Sequence, residues 1–117
     1  MGQKIEIIRQ KINSGKLREF LNQPFPDMVK FVADVNRRLI ALGGEMHADA
    51  EEVLLKDGSK QADLWGANIY PDGPMGEKIE YESLINIRPS QSNNSMEIKD
   101  EGLRSKIGEI VNELIEL

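Results

Sequence analysis

The sequence predicts an α+β fold, an antiparallel sheet with helices packed on one face. Three observations carry that reading. Leu103, Ile107, Ile110, Val111 and Leu114 recur at the spacing of a single helical face. Residues 64–70 and 78–88 are rich in strand formers and flank Pro71-Asp72-Gly73-Pro74-Met75-Gly76, whose Pro and Gly chemistry suits the reversal of an antiparallel pair. The polar residues able to do specific chemistry, with the single His and the single Trp among them, gather in three short stretches, 43–49, 61–71 and 85–95. The rest reads as amphipathic scaffold.

Taken in order, Ile5, Ile7 and Ile8 predict an edge strand at the N-terminus. Ser14 is a candidate N-cap for a helix over 15–22, where Leu17, Phe20 and Leu21 form an apolar face and Pro24 and Pro26 stop the chain. Residues 27–42 admit two readings. As a helix, Met28, Val32, Val35, Leu39 and Leu42 make a stripe opposite Asp27, Lys30, Asp34 and Arg38, with Gly43 as the stop. As a β-hairpin, 29–35 pairs with 38–42 across a turn at Asn36-Arg37, which the Val, Phe and Ile content favours. Asp49 as N-cap with Glu52 three residues on predicts a helix over 50–56, ended by Asp57-Gly58. In the paired strands 64–70 and 78–88, Ile69, Ile85 and Ile87 face the core, while Asn68, Tyr70, Asn86 and Arg88 share the other face. Asp100 caps a final helix over 101–115, whose last turn is expected to fray where Glu113 and Glu116 crowd the negative end of the helix dipole.

Composition limits the function classes. A chain of 117 residues and 13.2 kDa is expected to form one domain. At that size it buries about two-thirds of its unfolded surface. It has no Cys, which excludes disulfides, thiolate metal sites and Cys nucleophiles. Residues 1–12 lack an apolar core and a small-residue cleavage site, so no signal peptide is expected, and Glu6 stands where myristoylation after Met1-Gly2 wants Ser or Thr. No apolar run approaches the roughly 18 residues of a membrane span. A soluble, cytoplasmic protein is expected. The net charge is −5, and the basic residues are scattered, with Arg37-Arg38 the only adjacent pair. That argues against nucleic-acid binding, which needs a basic stripe to displace phosphate counterions.

Gly-Gly-Glu-Met-His-Ala-Asp-Ala-Glu at 43–51, Asp-Gly-Ser-Lys-Gln-Ala-Asp-Leu-Trp-Gly-Ala-Asn at 57–68, and Glu-Ser-Leu-Ile-Asn-Ile-Arg-Pro-Ser-Gln-Ser-Asn-Asn-Ser-Met-Glu-Ile at 82–98 resemble the signature of a small prokaryotic family of uncharacterised proteins, a domain of unknown function. The resemblance spans about 27–117. It implies no activity. It does imply a Gly-ended triplet where this chain has Asn36-Arg37-Arg38, and Gly suits a hairpin turn better than a helix interior, so the hairpin over 29–42 is preferred. The resemblance also implies Gly where this chain has Ser92, so a left-handed backbone there would be less comfortable.

Three function classes follow. The first is a binding module for a small polar or anionic ligand or a partner protein. Its residues would be Asp63, Trp65, Asn68, Asn86, Arg88, Gln91 and Asn93. An Arg fork takes carboxylate or phosphate bidentately, Ser90 and Ser95 add hydroxyls, and Trp65 offers a stacking face. The second is a metal-dependent, hydrolase-like enzyme. Glu45, His47 and Asp49, at i, i+2, i+4, would share one side of an extended segment, with Asp63 joining from the next loop. The third is an interaction or assembly protein whose polar cluster only locks loops, with Arg88 paired to Glu45 or Asp63 and the Asn and Ser side chains satisfying loop backbone. The sequence holds no dinucleotide or phosphate-loop fingerprint and no serine-hydrolase elbow, so no cofactor is named. Gly66 is read as a strand bulge or a close approach. Homo-oligomerisation stays open.

Overall fold

A computed structural model of the chain describes residues 4–21 and 25–117. Its core is an antiparallel five-stranded sheet of order β1-β3-β2-β4-β5, built from β1 (Ile5–Ile8), β2 (Val29–Asp34), β3 (Leu39–Gly43), β4 (Leu64–Ile69) and β5 (Ile79–Glu80). Three α-helices accompany it: α1 (Ser14–Arg18), α2 (His47–Lys56) and α3 (Glu101–Leu114). The predicted helix end at Asn22, the stop at Pro24 and the Met1-Gly2 start lie outside the described residues.

The 29–42 segment is the hairpin. Phe31 opposes Leu42 and Asp34 opposes Leu39, which leaves Val35–Arg38 as a four-residue turn rather than a two-residue one. Asp34 sets the turn. Its Oδ1 accepts from the N–H groups of Asn36 and Arg37 at 2.9 and 2.8 Å, and its carbonyl accepts from Arg38 N. Its Oδ2 accepts from the Ser59 hydroxyl at 2.6 Å, so this fully buried carboxylate is well supplied with donors.

The expectation that helices cover one face needs correction: they cover both. On one face Phe31, Ala33, Trp65, Ala67 and Ile69 pack with Leu17 and Phe20 and with Ile107, Ile110, Val111 and Leu114 of α3. On the other, Val32, Ala41 and Leu64 pack with Ala50 and Leu54 of α2. The reason lies in β2 and β4, whose six residues each are almost wholly buried. A strand hidden on both sides reads as a continuous apolar run and needs a cover on each. Ile69 meets the α3 side as expected. Ile85 instead packs on the α2 side, and Ile87 is exposed.

The predicted strand over 78–88 is also shortened. Only Ile79 and Glu80 pair with β4. Beyond them the Ser83 hydroxyl accepts from Ile85 N and starts a 3-10 turn at Leu84–Asn86; a second follows at Pro89–Gln91. Caps differ in detail too. Asn13, not Ser14, caps α1, accepting from Lys16 N. α2 begins at His47 with Met46 as its cap residue and no side-chain cap bond, so Asp49 lies in the first turn. Asp100 caps α3 as predicted, accepting from Gly102 N and Leu103 N. The expected fraying at the end of α3 meets a countervailing tie: Ile12 N donates to Leu114 O and Glu116 N donates to Ile12 O, both at 2.9 Å.

Candidate functional site

The predicted site residues divide between two places. Asn86, Arg88, Gln91 and Asn93 form a hydrogen-bonded lock along the edge of β4 that β5 leaves uncovered. The Asn86 amide imitates a strand: Oδ1 accepts from Gly66 N and Nδ2 donates to Gly66 O, both at 2.9 Å, with a further bond to Met96 O. Buried backbone polar groups must find partners, and here a side chain supplies what the shortened strand does not. Arg88 donates from its two terminal nitrogens to the carbonyls of Gln61 and Leu64, and its guanidinium lies 3.8 Å from the centre of the Trp65 ring. Gln91 Nε2 donates to Ala62 O. Asn93 is buried, with Nδ2 shared among the carbonyls of Asn86, Ser95 and Glu97 and Oδ1 accepting from Lys99 N. Arg88 pairs with neither Glu45 nor Asp63; backbone carbonyls take both fork nitrogens. Trp65 is buried on the α3 side of the sheet.

Glu45, His47, Asp49 and Asp63 are not brought together. The 43–49 stretch is not extended at its end, because α2 begins at His47. Glu45 and Asp49 face solvent while His47 turns inward, and among the described residues no group of three or more His, Asp or Glu is placed to hold a metal ion. Asp63 acts through its backbone, its carbonyl accepting from Val35 N just past the end of β2.

His47 and Asn68 meet at the second place, a groove of about 280 Å³ on the α2 face of the sheet, where Met28, Met46, Ile85 and Met96 form its apolar walls. α2 starts too late to cover this end of the face. Lys30 and Asn68, directly opposed on β2 and β4, are left beneath the opening. Asn68 is 5% exposed; its Nδ2 donates to Glu80 Oε1 at 2.9 Å and to Glu82 O at 3.3 Å. Its Oδ1 is buried and has no hydrogen-bond partner among the described residues. Tyr70 reaches the same Glu80 oxygen at 3.2 Å. His47 Nε2 donates to Ala67 O at 2.9 Å, which leaves Nδ1 as the acceptor of a neutral ring. Burial pushes the His47 pKa below its usual value and Lys30 lowers it further, against the raising effects of the Ala67 carbonyl, Asn68 and Glu80.

Gly66 explains how the His comes so close. A Cβ there would lie 2.7 Å from Ser83 Cβ and 3.1 Å from His47 Cδ2. Of the two earlier readings of this glycine, the close approach is the one seen. Sequence reasoning missed Lys30, Ser83 and the three methionines of the groove. Lys30 could be linked to Asn68 only through the strand register, and the methionines have no periodic spacing.

The chain matches, over residues 6–114, the model of a family described as a protein of unknown function (DUF5674). It belongs to that family. No curated protein and no solved structure matches it. No helix among the described residues is long and apolar enough to cross a membrane.

Proposed function

We propose that this DUF5674 protein is a binding module for a small ligand, held in the groove between the start of α2, the sheet and the 82–96 loop. The observation that carries the reading is the groove itself, where the apolar side chains of Met28, Met46, Ile85 and Met96 surround a few polar ones, Lys30, His47, Asn68 and Ser83. The surroundings support it. Ligand sites combine apolar walls with a few convergent polar groups, and methionine walls adapt to varied shapes. Met46, Leu84 and Met96 keep 57%, 67% and 37% of their surface exposed around this opening. Arg88 does not line the groove, and backbone carbonyls take both its terminal nitrogens while its buried Nε has no partner among the described residues.

The test is a two-dimensional NMR screen of a metabolite library against the labelled protein. Binders should shift the Asn68 side-chain amide and the methyls of Met46 and Met96, and Asn68→Leu should abolish those shifts while the protein stays folded. A library that leaves these signals unmoved, or binders that perturb only Trp65 and Arg88, would count against the groove.

A further inference from the structure

Methionine is concentrated in the groove. Of the five methionines in the chain, three, Met28, Met46 and Met96, line it. Met46 and Met96 keep 57% and 37% of their surface exposed, so small solutes reach them, while Met28 is half-buried. The chain has no Cys, so the thioether is its only sulfur chemistry. Trp65, another oxidisable side chain, is buried among the residues of the α3 side. Met75 is 90% exposed but lies outside the groove, in the turn between β4 and β5. Oxidation of methionine by peroxides follows exposure, and it turns an apolar thioether into a polar sulfoxide. Leu84 and Ile85, the other large apolar residues of the lining, undergo no such change.

We propose that the groove is a redox-sensitive site, in which hydrogen peroxide oxidises Met46 and Met96 and the resulting sulfoxides expel an apolar ligand. This rests on the groove being a ligand site. In each reaction the sulfur lone pair attacks one peroxide oxygen. The O–O bond breaks, an S–O bond forms, and the other oxygen leaves as water. Sulfur is oxidised and the peroxide reduced. The change is reversible: a thiol-dependent sulfoxide reductase removes the oxygen as water while a pair of thiols becomes a disulfide. Binding weakens because the sulfoxide oxygen needs a hydrogen-bond donor, which water supplies and an apolar ligand does not. The two methionines come from separate segments. Met46 is the cap residue of α2, and the Met96 carbonyl accepts from Ser83 N at 3.0 Å, so oxidation alters the lining in two places.

The experiment titrates the full chain with N-phenyl-1-naphthylamine, an uncharged apolar dye that fluoresces on leaving water, before and after treatment with hydrogen peroxide. Methyl NMR locates the dye, and mass spectrometry of peptides locates the added oxygen. The dye should shift the Met46 and Met96 methyls of the untreated protein. Peroxide should convert Met46 and Met96 ahead of Met28, and affinity for the dye should then fall roughly tenfold or more. Treatment with the reductase should restore it. The double variant Met46→Leu, Met96→Leu should bind the dye equally before and after peroxide, whereas Met75→Leu should behave as wild type. The double variant Met46→Gln, Met96→Gln, with polar amides in place of sulfoxides, should bind weakly without peroxide and keep the wild-type circular dichroism spectrum. Unchanged affinity after oxidation, a loss on oxidation that persists in the double leucine variant, or unfolding by peroxide overturns the redox assignment and leaves the groove standing. If the dye moves neither methyl, the redox assignment falls, and the groove falls with it when the metabolite screen is silent too.

Discussion

Arg38 and Ser92 hold left-handed backbone, with φ of 56° and 60°, and among the described residues they are the only non-glycines with positive φ. Both stand where the family resemblance implies Gly. A side chain in that region costs about 1–2 kcal/mol, against the 0.5–1 kcal/mol of extra chain entropy that Gly loses on folding. Ser92 is exposed and makes no side-chain bond among the described residues, so Ser92→Gly should stabilise the protein by roughly 0.5–1 kcal/mol in urea unfolding. A lower midpoint would contradict the strain argument. Arg38 differs, because its guanidinium pairs with Glu113 at 2.6 Å and Glu109 at 3.0 Å on α3. Such exposed pairs are worth about 0–1 kcal/mol, so Arg38→Gly should nearly cancel. Asn86 carries more. Asn86→Ala strips both polar groups of buried Gly66 of their partner, at about 1–3 kcal/mol each, so the variant should lose roughly 2–6 kcal/mol in the same assay.

Among the elements, α3 was the most legible in the sequence. Its cap, its length and its stripe are all local patterns, and Ile107, Ile110, Val111 and Leu114 are buried as the 3.6-residue period requires. Ile110 is fully buried against the sheet. Ile110→Asp should therefore unfold the protein, seen as loss of the cooperative thermal transition by circular dichroism; a folded, cooperative variant would refute this packing. β5 was the least legible. Residues 78–88 alternate like a strand, yet pairing ends at Glu80 because Ser83 and Asn86 turn the chain inward and let a side-chain amide close the ladder. No periodicity encodes that exchange, since it depends on which Gly66 groups a distant loop can reach. The 27–42 hairpin was ambiguous for a related reason. A strand buried on both faces has no alternation, so helical spacing fits it equally well.

Across the whole molecule, two titrating groups, the buried His47 and the partly buried Glu51, bias stability in opposite directions. The pKa of His47 in the folded state lies below 6.5 through burial, so the unfolded chain binds its proton more readily. Relative to His47→Gln, wild-type stability should be greatest above about 6.5 and decline as pH falls from there through the folded-state pKa. Glu51 behaves inversely. Burial raises its pKa above 4.5, opposed by Arg88 and Gln61, and its Oε2 has no hydrogen-bond partner among the described residues. Relative to Glu51→Gln, wild-type stability should fall as pH rises from about 4.5 through the raised value. Urea melts of the three proteins from pH 4 to 8 check both signs, and parallel curves would remove both groups from the account. The same burial separates what could be read early from what could not. Local periodicity and cap chemistry specify the α+β class, α3 and the strand at 64–69, because each depends on residues a few positions apart. The use of the polar stretches depends on neighbours far along the chain. Arg88 looked available until the carbonyls of Gln61 and Leu64 were seen to take its fork, and Asn68, read as a partner of Arg88 in one site, lines a groove with Lys30 and His47 instead. Whether a polar group is satisfied is a property of three-dimensional surroundings, so the candidate site emerges only when the chain is folded.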